Sequence, residues 1–237
     1  MTLLSICKDA AYEVQIAAPA TIVGNTSTDA LRFFRYANKV GIDLMKRFTW
    51  QDLRTEKTFT ALGQSEQTSI LPSDFDRFVP ETFWDRTNQI LVSGPVPPVR
   101  WNGLKASSYD GAARRFIYRG DSIFVIPVFD GGESLAFEYV SKNWAQSSGG
   151  TPQEKFQADT DVSVINEELI TLGVVYRWLL SEDQPYQEVK REFEDKAWEY
   201  YKTDQSAPEV LVAGDIFARN SRHFTGEPQI DGSDSVV

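Results

Sequence analysis

With a single cysteine and a single histidine in 237 residues, the chain lacks the side chains on which much protein chemistry depends. Cys7 alone can close no internal disulfide and build no thiolate zinc site, a pattern compatible with a reducing compartment. His223 is the one candidate base for a serine–histidine or cysteine–histidine pair, and it lies in an unpatterned last segment where preorganisation would be poor. No His/Cys set has transition-metal spacing, and neither a P-loop nor a G-x-G-x-x-G string is present. No Gly-rich turn leads into an amphipathic helix that would receive phosphate. The sequence therefore predicts no catalytic residue, no cofactor and no metal.

Long apolar runs are scarce too. Nothing approaches the roughly 20 residues that cross a bilayer. The N-terminal "MTLLSICKDAAYEVQIAAPA" is broken by Lys8, Asp9 and Glu13, so neither a membrane span nor a signal peptide is expected. Positive charge is in deficit: the net charge is −10 and the pI near 4.7, a field that repels nucleic acid. A DNA-binding enzyme is disfavoured. A protein that stands beside DNA without adhering to it is not.

What is present is a hydrophobic content of 41 % and six tryptophans, enough for a sizeable core. Leu4, Cys7, Ala11, Val14 and Ala18 recur at helical spacing and predict a helix over 3–18, closed by Pro19. Thr26 and Asp29 fit a capping box, and Phe33, Ala37, Val40, Leu44 and Phe48 mark one face of a second helix. From Trp50 to about Ala145 the period shortens. "KTFTAL", "QTSIL", "QILVSG", "RFIYRGDSIFVIPVF" and "SLAFEYVSKNW" read as a mostly antiparallel sheet, with a two-residue hairpin loop at Gly120-Asp121 and a Gly-rich turn at Asp130 to Gly132. Helical spacing returns in Ile165, Leu169, Leu172, Tyr176 and Leu179, with Glu167 and Glu168 complementing the helix dipole. Pro185 suits the first position of a last helix, striped by Tyr186, Val189, Phe193, Ala197 and Tyr200, with Glu192 and Lys196 paired on its wet side. The expected fold is α+β: a bundle of about four helices from 1–49 and 151–205, an inserted β-rich domain over 50–150, and an extended C-terminal arm over 206–237.

The stretch "DFDRFVPETFWDRT" sets Asp74, Asp76, Glu81 and Asp85 among aromatics, with Arg77 and Arg86 between them. Carboxylates in contrasting environments can serve as general acid and base, which is the hydrolase reading of Asp76, Glu81 and Asp85. The structural reading has Ser73 or Asp74 capping a short helical turn after Pro72, the arginines neutralising the acids, and Phe75, Phe78, Val79, Phe83 and Trp84 lining the space between strands. It explains more of the residues, because no nucleophile or metal set accompanies the acids.

The longer segment "LPSDFDRFVPETFWDRTNQILVSGPVPPVRWNGLKA", Leu71 to Ala106, resembles one that recurs in head-to-tail adaptor proteins of short-tailed bacteriophages. The shared features are an aspartate-rich turn at Asp74 to Arg77, an aromatic–Trp–Asp–Arg string at Phe83 to Arg86, the Gly94-Pro95 step, and Trp101 to Lys105. The element order, two helices, an inserted sheet, a helical hairpin and an arm, also resembles that family's. The resemblance implies a structural protein at the head–tail junction of the virion, made in the host cytoplasm. About a dozen copies would form a ring beneath the portal protein and carry tail or nozzle proteins, with a lumen through which DNA passes as cargo. The bundle would build the ring wall, the sheet domain would face outward or toward the tail, and the arm would grip the portal. A dozen copies at −10 would carry about −120, which keeps passing duplex from adhering.

Two sets of contact residues are expected. Arg32, Arg35, Lys39 and Lys46 fall on one side of the second helix and offer an electrostatic contact to an acidic neighbour in the ring or portal. The arm carries Val210, Leu211, Val212, Ile216, Phe217 and Phe224, apolar residues too few to make a core of their own, which suit a groove on the portal. The competing reading is a host-receptor-binding or other tail protein that uses the β-rich domain, with Arg119-Gly120-Asp121 on an exposed hairpin.

Overall fold

The computed structural model describes residues 1–107 and 109–205. Helix α1, Leu3–Glu13, opens with a reciprocal cap between Thr2 and Ser5 and ends earlier than its apolar spacing predicts. Gln15 takes the left-handed conformation, with φ of 59°, and the Ile16 N–H closes back on the Ala11 carbonyl. Val14, Ile16 and Ala18 still pack on the core, but from the turn and the non-helical segment after it. The carboxylate of Asp159 fixes the loop that follows, accepting from the Ile22 and Val23 N–H groups. Helix α2, Thr28–Arg47, is capped by Ser27, which accepts from the Ala30 N–H; the cap is one residue later than the Thr26 expected from sequence.

The insert follows. Strands β1 (Arg54–Thr60), β2 (Glu66–Gln67), β3 (Phe75–Phe78), β4 (Trp84–Asp85) and β5 (Ile90–Leu91) precede the short helix α3, Pro98–Ala106. Then come β6 (Arg115–Arg119), β7 (Ser122–Ile126), β8 (Ser134–Ser141), β9 (Ala145–Gln146), β10 (Pro152–Gln153) and β11 (Val162–Ser163). The largest sheet runs β1-β8-β4-β5, with β3 also on β8; β2-β7-β6 and β10-β9-β11 form two smaller sheets, and every ladder is antiparallel. The turn expected after Pro72 is a single one at Ser73 and Asp74, closed by the Phe75 N–H on the Pro72 carbonyl, and it leads into strand rather than helix. Phe75 and Phe78 are drawn onto an aromatic cluster with Phe83, Phe116, Phe137 and Tyr139, and β8 supplies the ladder that a lone turn lacks. Each such ring, fully buried, contributes about 1.5–3 kcal/mol.

Helix α4, Glu167–Ser181, and helix α5, Gln187–Gln205, complete the bundle. α5 begins two residues after Pro185, the start expected from sequence, because Asp183 turns left-handed and Gln184 closes back on Leu179. α4 is buried almost all round, from Leu169 to Val175 and at Trp178, and packs against α1, α2 and α5. Gly173 marks a close approach of α4 to its neighbours: a methyl there would lie 2.5 Å from Val40 and 3.2 Å from Phe193. The bundle core also takes in Trp144, Ala145 and Phe156, on either side of position 150 where the sequence suggests a boundary. Strand β8 serves both cores: Leu135, Phe137 and Tyr139 enter the sheet's, Val140 the bundle's. No helix among the described residues is long and apolar enough to cross a membrane.

Candidate functional site

Of the carboxylates of "DFDRFVPETFWDRT", Asp74 and Asp76 lie where the sheet meets the bundle. Asp74 accepts from the hydroxyls of Tyr139 (3.1 Å) and Ser141 (2.7 Å), while its carbonyl accepts from the Lys142 N–H. Burial, and then the Asp74 charge, pushes the Tyr139 hydroxyl up to about 12. Asp76 pairs with Arg77 at 2.7 Å, and the same guanidinium donates to the carbonyls of Met45 (3.2 Å) and Phe48 (2.7 Å). These are orphan acceptors at the C-terminus of α2, so Arg77 caps a bundle helix from a strand of the insert.

Asp85 is fully buried, and every bond to its carboxylate is internal. It accepts from the N–H groups of Thr87 and Asn88, from the Asn88 amide at 2.9 Å and from Arg114 at 2.9 Å. Arg114 lies over the Phe129 ring and 3.7 Å from Glu133, whose carboxylate accepts from the N–H groups of Asp130 and Gly131. One partly buried guanidinium thus clamps two turns together. The sequence suggests Arg86 as the neutralising cation; Arg86 instead pairs with Glu56 on the outer face.

That outer face holds a cleft of about 520 Å³, lined by Glu56, Glu81, Trp84, Arg86 and Glu138. Glu81 and Glu138 make no ion pair among the described residues. No group of three or more His, Cys, Asp or Glu among the described residues is arranged to hold a metal. Arg119-Gly120-Asp121 sits at the β6–β7 turn, where Gly120 supplies the φ of 59°. Its aspartate is engaged from the side: the carbonyl accepts from the Ile70 and Leu71 N–H groups and the carboxylate from Ser69 at 3.3 Å.

The basic side of α2 divides. Arg32 turns inward to Glu182 and Ser181, with its guanidinium over the Trp178 ring, so it does not belong to an exposed stripe. Arg35, Lys39 and Lys46 remain exposed and make no ion pair among the described residues; Leu31 and Ile42, 44 % and 36 % exposed, flank them on the same face. A face missed in the sequence reading is that of α5, where Glu188, Glu192, Asp195 and Glu199 are exposed. Their four-three-four spacing was the available signal. Lys196, beside them, bridges to Glu168 and Glu192, and Glu192 helps to raise the proton affinity of Glu13, after burial. His223 and the arm residues Val210, Leu211, Val212, Ile216, Phe217 and Phe224 lie outside the described residues. No protein-family model matches the chain, and no curated protein does either.

Proposed function

We propose that the chain is a structural virion protein, a head-to-tail adaptor whose copies form a ring under the portal, join the capsid vertex to the tail, and leave a lumen for DNA. The observation that carries this reading is the use made of the segment Leu71 to Ala106. Its Arg77, paired with Asp76, fastens an inserted sheet to the end of a bundle helix, its Asp74 ties two strands of that sheet together, and its buried Asp85 locks two turns. That is architecture, and the resemblance attached to the same segment is to an architectural family. The element order supports it as well: α1 and α2, then the sheets, then the α4–α5 hairpin returning to one bundle.

In this reading the apolar residues Val210 to Phe224 contact the portal, the β-rich insert meets tail or nozzle proteins, and the acidic surface keeps DNA a passenger. Receptor binding through Arg119-Gly120-Asp121 is less favoured because residues 69–71 brace the aspartate. Native mass spectrometry of the full chain, alone and with the cognate portal, tests the proposal. A closed multi-subunit species or a portal-bound assembly is expected. A chain that stays monomeric and ignores the portal, or one that turns over a substrate and loses that activity on Asp76→Asn or Glu81→Gln, would overturn it.

A further inference from the structure

Two outward faces of the bundle carry opposite charge, and apart from the Glu192–Lys196 pair their charged residues make no ion pair among the described residues. On α2, residues Leu31, Arg35, Lys39, Ile42 and Lys46 fall within about 80° of arc at about 100° per residue, opposite the buried Phe33, Ala37, Val40 and Leu44. On α5, Glu188, Glu192, Asp195 and Glu199 fall within about 60°, opposite the buried Phe193 and Ala197.

The heights of the two faces also agree. Both helices run antiparallel to α4: Arg32 meets Glu182 at one end of it, and Lys196 and Tyr200 meet Glu168 at the other. α2 and α5 are therefore parallel to each other. Val40 and Phe193 converge on Gly173, and the rings of Phe48 and Tyr201 lie 4.9 Å apart, so each pair marks one level of the bundle. Two residues back from Phe48 and Tyr201 stand Lys46 and Glu199. One back from Val40 and Phe193 stand Lys39 and Glu192, and five back stand Arg35 and Glu188. All three unpaired cations are level with carboxylates.

Rotation about an axis parallel to the helices preserves both height and direction, so it sets residues of equal level against one another in adjacent copies. From this, and resting on the ring reading proposed above, we infer that α2 of each copy docks against α5 of the next, pairing Arg35 with Glu188, Lys39 with Glu192 and Lys46 with Glu199. The contact is heterologous, since different faces meet, and it closes into a ring. Leu31 and Ile42 supply the apolar part. A two-fold axis perpendicular to the helices would set them antiparallel and break this register. Because the pairs are exposed, each is individually weak and screened beyond about 8 Å at physiological salt.

The test uses the full chain with two matched charge reversals, Arg35→Glu with Lys46→Glu on α2, and Glu188→Lys with Glu199→Lys on α5. Circular dichroism verifies folding, and sedimentation velocity at low salt reads the oligomer. Wild type should form a closed species that dissociates as salt rises. Each reversed protein alone should lose at least tenfold in association, an equimolar mixture should regain it, and a chain carrying all four changes should assemble by itself. Folded variants that assemble like wild type overturn this contact while leaving the ring intact, through some other face. Mixtures that fail to recover overturn it too, as does a species that stops at a dimer. If the α2 reversal abolishes portal binding with ring formation untouched, the face belongs to the portal and the inference fails. A wild-type chain that never oligomerises, with or without portal, sinks the ring reading and this contact together.

Discussion

Replacing Gly41 by alanine sets two effects of opposite sign against each other at one buried position. Gly41 lies within α2, and alanine in a helix interior is favoured over glycine by about 1 kcal/mol. The added methyl, however, would sit 2.2 Å, 2.3 Å and 2.4 Å from three ring carbons of Trp144. The indole is fully buried and held edge-on by Phe156 at 4.8 Å, so it is not the free end of a flexible side chain. Overpacking of this kind costs about 1–3 kcal/mol or more, and three contacts far inside van der Waals distance place it at the upper end. The clash wins, and Gly41→Ala should destabilise the protein by about 1–2 kcal/mol net of the helix gain. Urea denaturation followed by far-ultraviolet circular dichroism would register this as a lower midpoint at unchanged slope. The sign should reverse once the ring is gone: in a Trp144→Leu background, itself several kcal/mol less stable, Gly41→Ala should recover up to about 1 kcal/mol. Equal or greater stability of Gly41→Ala with Trp144 present, or the same loss in both backgrounds, would refute the reasoning.

Arg114→Met should cost about 3–5 kcal/mol, because it strands the fully buried Asp85 charge; a melting temperature within a degree or two of wild type would contradict this. Arg77→Ala should cost about 1.5–3 kcal/mol and speed amide exchange in the last turn of α2, where the Phe48 N–H bonds Leu44, with little change in α5. Cys7, whose thiol burial and then Asp159 push up to about 12, should resist thiol reagents at pH 8 until the protein unfolds; fast labelling of native protein would count against it. Tyr139 has a folded value of about 12 against an ordinary 10, so stability should be intact below about pH 10 and decline as pH rises toward 12. Cys7 adds to that decline from about pH 9, and Tyr139→Phe should remove only the tyrosine's share, read from urea midpoints at pH 8 and pH 11.

The helices were legible because the cores of α2 and α5 take every third or fourth residue, and Phe33, Val40 and Phe193 are buried where that period puts them; α4, buried almost all round, carries the same apolar spacing within a wider buried surface. The end of α1 was not, since Val14, Ile16 and Ala18 continue the apolar rhythm after the backbone has turned left-handed at Gln15. Tertiary partners escaped for a different reason. Asp85 finds Arg114 across the fold rather than the adjacent Arg86, and Arg32 is pulled from its stripe by the end of α4, a helix far away in sequence. Local spacing carries a helix face; it carries no information about which distant turn arrives beside it. The acidic face of α5 was written in the sequence at readable spacing, and it was overlooked because carboxylates on a wet helix have an ordinary explanation as a solvated surface.

Helix α4 is the hub on which α1, α2 and α5 all pack, yet it follows α2 only after the entire insert. On a ribosome adding about 5–20 residues per second, the roughly 120 residues between them take about 6–24 s. Through that interval α1 and α2 lack the helix that covers most of Ile6, Phe33, Val40 and Leu44, whereas the aromatic core of the sheet can close as soon as β8 emerges. The fold thus imposes a timetable in which the middle of the gene product matures first and the two ends wait for each other. During that wait the exposed α1–α2 pair is the part of the nascent chain that a chaperone, or a second nascent copy, would meet.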